Sequence, residues 1–412
     1  MTGISNDADS NVVALPSVVE AVELRHLRAF VAVATDLNFT RAAERLYISQ
    51  PALSRQISIL ERRIGCLLIN RSTHHVTLTM AGEALLARAR TLLDDVEEAV
   101  HIAQAVGGEL VGRVTRLLEP LATTYADDGI DIDDARRAFE DLHAQFTPPA
   151  EVRIRPVTAN GVPSLICTPS SNDHLTRSRI LFLHGGSFTL GSAYGYRHLA
   201  GALAEACDAE VLTADYRLAP EYPFPAALDD CQQAYRWLLE RNDSEDVAIV
   251  GDSTGCGLVV GTLLRARQHG LPQPNSAVLM CPAVDPTWIT HNPAVSSDAA
   301  QQMARSLRDR FTEPYLNGHP IDDPFVSPLH ADLTGLPRLL VQAATGDTLR
   351  AHALHLVEHA QQAGLDARLE LYPTAVHDFH VFWSFLPEAA DALQRAAHFL
   401  HAPQDKVVAG NG

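Results

Sequence analysis

Apolar positions recur along this chain with two different spacings, and the change from one to the other divides it. Between residues 24 and 105 the spacing is helical. Leu27, Phe30, Val31 and Ala34 recur every three or four residues in LRHLRAFVAVA, which predicts an amphipathic helix. A short helix over RAAERL follows, with Thr40 as its expected cap. A third, QPALSRQISILERRIG, buries a stripe of Leu53, Ile57, Leu60 and Ile64. That stripe leaves Gln50, Pro51, Ser54 and Arg55 on an outward face near the helix N-terminus. INRSTHHVTLT then predicts a short β-ribbon with Arg71 near its base. Beyond it, Leu85, Ala89, Leu92, Val96, Ala99 and Ala103 line one face of a further helix.

Past residue 108, short apolar runs alternate with helical stretches. RILFLHGGSF ends on His184, Gly185, Gly186 and Ser187. AEVLTADY leads into a proline-rich loop and then a helix. DVAIVGDSTGCGLVVGTLLRAR is strand, turn, helix, with Ser253 in the turn. PRLLVQAATGDTL is a buried strand ending at Asp347, and ARLELYPTAVHDFH is another with His377 just beyond it. Strands alternating with helices predict a mainly parallel sheet covered on both faces. Ligands of such sheets gather outside the carboxyl ends of the strands. Ser253, Asp347, His377 and the HGGS segment all fall there. Residues 114–150 and 284–320 do not fit the sheet pattern and are expected to be helical or irregular insertions.

Composition adds a second division. The 412 residues are 46% hydrophobic and 20% charged, as in ordinary globular proteins, and suffice for two domains. Net charge is −18, which argues against a protein that coats nucleic acid or anionic membrane over its whole surface. Residues 22–92, however, hold ten arginines and five acids, so they carry +5 and the remainder −23. This asymmetry suggests a basic DNA-facing module tied to an acidic body. Cys66, Cys167, Cys207, Cys231, Cys256 and Cys281 show no CxxC spacing and are expected to be buried fillers in a reducing compartment. Residues 1–21 and 402–412 are expected to be disordered tails, the first lacking the basic region of a signal peptide. No apolar run approaches the ~18 residues that span a bilayer. A cytoplasmic protein without membrane contact is expected.

The candidate chemistry centres on IVGDSTG. A Gly-x-Ser-x-Gly turn is by itself compatible with an ordinary glycine-rich bend. Gly251 and Gly255 nonetheless stand where a nucleophile elbow needs residues without side chains. The order Ser253, Asp347, His377 is that of an α/β-hydrolase triad. His377 then takes the serine proton and Asp347 orients the imidazole. Backbone N–H groups of Gly186, Ser187 and Thr254 are the expected oxyanion donors, with Gly185 allowing close approach. Asp252 is expected to make structural hydrogen bonds, Cys256 to pack, and Tyr216, Arg217 and Glu221 to lock the loop beneath the site. His380 lies near the triad without an assigned role. The histidines of RAHALHLVEHA are expected on a helix surface. No metal-ligand spacing is present, so neither metal nor cofactor is expected.

Two family resemblances sharpen this picture. FTRAAERL, ISQPALSRQI, LERRIG, LLINR and LTMAGEALL, in that order, resemble the winged helix-turn-helix of LysR-type transcriptional regulators. The resemblance implies an all-α winged helix-turn-helix over residues 22–80 and a linker or dimerisation helix over 81–107. It further implies a homodimer or higher oligomer that binds double-stranded DNA through Thr40, Arg41, Gln50, Pro51, Ser54, Arg55 and Arg71. The effector domain that normally follows in that family is replaced. HGG-x-F, DYRLAPEYPFPAALDD, GDS-x-G and the late Asp347 and His377 resemble the hormone-sensitive lipase family of esterases. That implies an α/β-hydrolase domain over 108–401 with a helical cap from about 114–150 and 284–320, and a serine carboxylesterase whose partner is a small-molecule ester. Two positions depart from that family's pattern. Ser187 stands at the third glycine of HGGG, and Thr254 at the small residue after the nucleophile. The alternatives are a regulator whose hydrolase fold senses a ligand with little turnover, and an esterase whose helix-turn-helix only dimerises.

Overall fold

The computed structural model describes residues 22–71, 76–126, 129–170, 178–286 and 308–402. The expected terminal tails, the tip of the ribbon at 72–75 and most of the second cap segment, 287–307, lie outside the described residues. The chain divides into two compact units, Met1–Val111 and Gly112–Gly412.

In the first unit, helices α1 (Leu24–Asp36), α2 (Phe39–Arg45) and α3 (Gln50–Ile64) enclose a core of Phe30, Val33, Ala42, Leu53, Ile57 and Leu60. Helix α2 is capped by Asn38, whose side chain accepts the N–H groups of Thr40 and Arg41. Thr40 is therefore already inside the helix, its own N–H being one of the two that the Asn38 side chain caps. Ser49 caps α3, with Pro51 in its first turn, where a missing N–H costs nothing. Strands β1 (Ile69–Arg71) and β2 (Val76–Leu78) pair antiparallel, Ile69 opposite Leu78. Glu61, on the inner face of α3, is buried, and its Oε1 accepts the N–H groups of Leu68 (3.0 Å) and Ile69 (3.1 Å). One carboxylate thus ties the third helix to the first strand of the ribbon, a role its helix position does not reveal. Cys66 is exposed, unlike the other five cysteines, because it sits in the turn leaving α3.

Helix α4 runs unbroken from Met80 to Tyr125. The boundary expected at residues 107 and 108 therefore falls inside one helix. Its early turns bury Ala89 in the first unit and its late turns bury Val114 in the second. Of the expected dimerisation stripe, Leu92 is exposed and Leu85 and Val96 are half-buried, while the side chains of Ala99 and Ala103 lie outside the described residues. Helix α5 (Ile132–Ala144) follows, capped by Asp131.

The second unit is built on eight strands: β3 (Val152–Ala159), β4 (Val162–Pro169), β5 (Arg179–Leu183), β6 (Glu210–Ala214), β7 (Val247–Asp252), β8 (Ser276–Met280), β9 (Arg338–Ala344) and β10 (Ala367–Tyr372). Their order across the sheet is β10-β9-β8-β7-β5-β6-β4-β3. β4 pairs antiparallel with both β3 and β6, and every other pairing is parallel. Helices α6 (Arg197–Cys207) and α10 (Pro387–His401) cover one face; α7 (Ala226–Leu239), α8 (Gly255–Gln268) and α9 (Arg350–Gln362) cover the other. β7, β8 and β9 are buried along their whole length, as double coverage requires. The β3–β4 hairpin and β8 were not expected. The Asn160–Gly161 pair, both at positive φ, is the turn signal that marks the hairpin.

Replacing Glu61 by Ala leaves two buried N–H groups without an acceptor and should destabilise the first unit by about 1–3 kcal/mol. Amide exchange at Leu68 and Ile69 in the intact chain reads this directly. Glu61→Gln, which keeps an acceptor oxygen, should lose less.

Candidate active site

β7 passes into α8 through Ser253 and Thr254 alone. Ser253 has φ 48°, a left-handed conformation that costs a side-chain-bearing residue energy unless its surroundings hold it. They do: its N–H donates to Met280 O (2.9 Å), and its carbonyl accepts from Ala283 N (3.0 Å). The flanking glycines are sterically required. A Cβ on Gly251 would lie 2.7 Å from Gly255 O, and one on Gly255 only 2.1 Å from Leu183 O. The turn therefore presses the start of α8 against the end of β5 and presents the serine at the carboxyl edge of the sheet.

His377, past β10, brings Nε2 to 2.9 Å from Ser253 Oγ and Nδ1 to 2.7 Å from Asp347 Oδ2. Asp347, past β9, is held by the N–H of Leu349 on its other oxygen (2.8 Å). A carboxylate can only accept, so Nδ1 carries a proton, and in the neutral ring Nε2 presents its lone pair to the serine hydroxyl. The Asp347 side chain is 1% exposed and that of His377 34%. Burial alone would raise the Asp347 carboxyl, but His377 and the bond from Leu349 hold it below its ordinary value. Burial pushes the His377 imidazolium down; the carboxylates of Asp378 and Asp347 outweigh it and pull the imidazole above its ordinary value. Asp378 Oδ2 lies 3.3 Å from His377 Nε2.

Sequence reasoning missed Asp378. Burial and the neighbouring Asp252 carboxyl hold its own carboxyl well above the usual range. Asp252 is fully buried and likewise raised by burial, and it accepts the Tyr196 hydroxyl at 2.8 Å. Asp252 and Asp378 thus act on the site as an electrostatic frame around the imidazole.

The HGGS segment is fixed from beneath. The Tyr216 hydroxyl donates to His184 O (2.7 Å), and His184 Nδ1 donates to Gly185 O (2.8 Å). Burial lowers His184 to about 4, so the ring is neutral. Because C=O and N–H of a peptide point oppositely, holding the Gly185 carbonyl aims the Gly186 N–H away from the His184 ring. Gly186 has φ 115°, and a Cβ there would meet Leu190 O at 2.3 Å. A Cβ on Gly185 would lie 3.0 Å from the Cβ of Ser253. Among the described residues, the N–H groups of Gly186 and Thr254 have no acceptor. The Ser187 N–H, expected beside them, differs: it donates to Thr254 Oγ1 at 2.9 Å.

Other expectations are redistributed. Tyr216, Arg217 and Glu221 do not form one cluster. Tyr216 supports His184, Arg217 pairs with Asp230 (2.8 Å), and Glu221 pairs with Arg136 of α5 (2.7 Å). Arg136 also donates to Thr189 O and Ala219 O, fastening α5 to the loops beside the site. Cys256 is buried against Gly251 O and Met280 O. His380 is buried and bonded to Gln342 Oε1. Of the α9 histidines, His352 is buried and accepts the Val284 N–H through Nδ1, while His355 is exposed. The helix turns His352 inward with Ala353, Leu356 and Ala360. Cys281 Sγ, an Asp347 oxygen and a His377 nitrogen lie within 4.8 Å of one another, but burial holds the thiol protonated. His377 already faces Asp347 and Ser253, so this donor set suits a proton relay better than a metal.

In the first unit, Gln50, Pro51 and Arg55 are exposed on the early turns of α3, and Ser54 is half-buried. Arg41 is exposed but donates to Asp36 O (2.8 Å), stapling α2 to the end of α1. The Arg71 side chain lies outside the described residues. Tyr47, in the turn before α3, is 96% exposed and was not anticipated. No helix among the described residues is long and apolar enough to cross a membrane.

This architecture and elbow define the class as an α/β-hydrolase joined to a helix-turn-helix. A profile of the alpha/beta hydrolase fold matches residues 180–381, and one of the bacterial regulatory helix-turn-helix proteins of the lysR family matches residues 24–83. The chain is 37% identical over 278 residues to an acetyl-hydrolase of Streptomyces hygroscopicus, covering 65% of this chain and 87% of that one. It is 30% identical over 286 residues to an ethyl acetate hydrolase of Pseudomonas putida, covering 64% and 88% respectively. A crystal structure of an esterase from the bacterial hormone-sensitive lipase family superposes with a TM-score of 0.62 at 34% identity, covering 69% of this chain and 96% of that one. The chain belongs to the hormone-sensitive lipase family of α/β-hydrolases, with a LysR-type DNA-binding helix-turn-helix at its N-terminal side.

The ring of His377 should titrate above 6.5 in NMR spectra, since Asp378 and Asp347 favour its charged form. Asp378→Asn removes one of those carboxyls and should move the titration downward, by about one pH unit or more.

Proposed function

We propose that the second unit is a serine carboxylesterase for short-chain acyl esters. The first unit binds double-stranded DNA within a homodimer, so that a small-molecule ester or related ligand governs transcription. Ser253 Oγ attacks the ester carbonyl while His377 Nε2 takes its proton. His377 returns that proton to the leaving alcohol, and water then repeats the sequence on the acyl-enzyme. Asp347 holds the imidazole tautomer and stabilises the imidazolium. The N–H groups of Gly186 and Thr254 receive the developing oxyanion, each worth about 3 kcal/mol. The observation that carries this reading is the line of two hydrogen bonds, 2.9 and 2.7 Å, from a serine at φ 48° through His377 to Asp347.

The regulatory half is supported by the LysR-type module, its exposed Gln50 and Arg55, and the +5 charge of residues 22–92. In this reading residues 22–80 contact DNA, 81–107 mediate dimerisation, and 108–401 hold the ligand. Thr40, Arg41, Pro51, Ser54 and Arg71 complete the contact surface.

Ser253→Ala should reduce hydrolysis of p-nitrophenyl acetate at least ~10³-fold, because triad members act as a unit. A fluorophosphonate should label Ser253 in the wild type. Retention of more than about a tenth of the activity by the variant would end the assignment. Rates should fall as the acyl chain lengthens from acetyl to dodecanoyl, since Thr254 crowds the serine and two relatives are an acetyl-hydrolase and an ethyl acetate hydrolase.

For the DNA module, Arg55→Ala should cost about 1–3 kcal/mol on the preferred site and flatten sequence preference. Arg71→Ala should weaken all sequences alike and lower the salt slope by about one. Mobility shifts on an inverted repeat upstream of the gene, at two salt concentrations, measure both. Binding without sequence preference at low salt would leave only the esterase.

A further inference from the structure

The two positions that depart from the family's pattern meet each other. Ser187, at the third glycine of HGGG, donates its N–H to the hydroxyl of Thr254, which stands at the small residue after the nucleophile (2.9 Å). A backbone donor that ordinarily faces the substrate is here occupied by a side chain of the same site.

The loop cannot readily turn that donor elsewhere. Ser187 and Phe188 have φ 55° and 64°, and the N–H groups of Thr189 and Leu190 both return to Gly186 O. The Phe188 carbonyl accepts from Ala219 N, and its ring stacks on Tyr315 with 3.9 Å between centroids. A threonine hydroxyl has one proton and two lone pairs. The Ser187 N–H takes a lone pair, and among the described residues the proton has no acceptor. Thr254 also carries a backbone N–H without an acceptor, and its neighbour Ser253 is the residue facing His377.

We propose that the Thr254 hydroxyl is a donor of the oxyanion hole, accepting the Ser187 N–H and donating its own proton to the oxyanion. This rests on the esterase reading above. As Ser253 Oγ bonds to the carbonyl carbon, the C=O π pair moves onto oxygen, and the serine proton goes to His377 Nε2. The hydroxyl proton of Thr254 stays on Thr254 and bridges to that oxygen. A hydroxyl that already accepts an N–H is polarised and donates better, and its bond to a full negative charge is stronger than one to the neutral ester. The interaction therefore grows as the oxyanion forms, which is what lowers a barrier. The loss of a directly facing N–H from Ser187 is compensated by a relay through Thr254.

The rival possibility is a plug, in which the hydroxyl competes with the substrate for the Ser187 N–H. Three variants separate the two. Thr254→Ser keeps the hydroxyl. Thr254→Val keeps the shape, loses the hydroxyl and covers the Ser187 N–H with a methyl. Thr254→Ala removes the hydroxyl and uncovers the N–H. Steady-state hydrolysis of p-nitrophenyl acetate by the full chain should show kcat above about a third of wild type for the serine variant. It should fall below about a tenth for the valine variant, with KM little changed. The alanine variant should not exceed wild type. A valine variant at or above that tenth, a serine variant below that third, or an alanine variant faster than wild type overturns the proposal. Should the valine variant fail to fold by circular dichroism, Thr254→Cys takes its place under the same limit, because a thiol donates weakly. Fluorophosphonate labelling of Ser253 in the wild type is run in parallel. Its absence, together with no hydrolysis, refutes the esterase reading itself; labelling and turnover with an unaffected valine variant refute only the role of Thr254.

Discussion

Among the glycines of the second unit, Gly255 has the least room for a side chain, because the start of α8 there meets the end of β5 at Leu183 and His184. A single methyl on Gly255 would lie 2.1 Å from one carbonyl and 2.6 Å from the next. This contact forces the strand-to-helix turn to be as short as it is. A turn that short leaves Ser253 in the left-handed region with its hydroxyl projecting from the sheet edge. It also brings the HGGS segment, which continues β5, alongside the serine. Ser253 and the N–H groups proposed as its oxyanion donors are therefore placed by one steric constraint, at the ends of the two central strands.

Around that constraint the polar groups are arranged in depth. Tyr216 and His184 fix the peptide that aims Gly186, and Tyr196 anchors Asp252. His184 is kept neutral by burial, so it can serve as a rigid donor without adding charge near a developing oxyanion. Asp347, and Asp378 and Asp252 when ionised, add negative potential that His377 feels directly, so the site favours an imidazolium.

Charge is unevenly spread along the chain, with +5 over residues 22–92 and −23 over the remainder. The basic residues of the helix-turn-helix segment suit phosphates, whereas the acidic remainder repels them. Where a LysR-type module is usually followed by a sensing domain, this chain continues as a hydrolase of the esterase family.

Much of this was legible in the amino-acid order because the determinants are local. Gly251, Ser253 and Gly255 lie within one turn, and the helical stripe of Leu53, Ile57 and Leu60 repeats within one helix. The alternation of apolar runs and helices likewise predicts a parallel sheet whose carboxyl edge collects Ser253, Asp347 and His377. What could not be read depends on which distant groups share a small volume. Glu61 looks like a surface acid of α3 until β1 folds back to place two N–H groups on it. His352 follows the same helical period as its exposed neighbour His355, and only the packing of α9 on the sheet decides which one is buried. Asp378 is one residue from the histidine, yet the state of its carboxyl is set by burial and by Asp252, 126 positions earlier in the chain. Ser187 and Thr254 appear in the sequence as two separate departures from a pattern. Their hydrogen bond exists because β5 and β7 are adjacent in the sheet, and adjacency is a property of the fold.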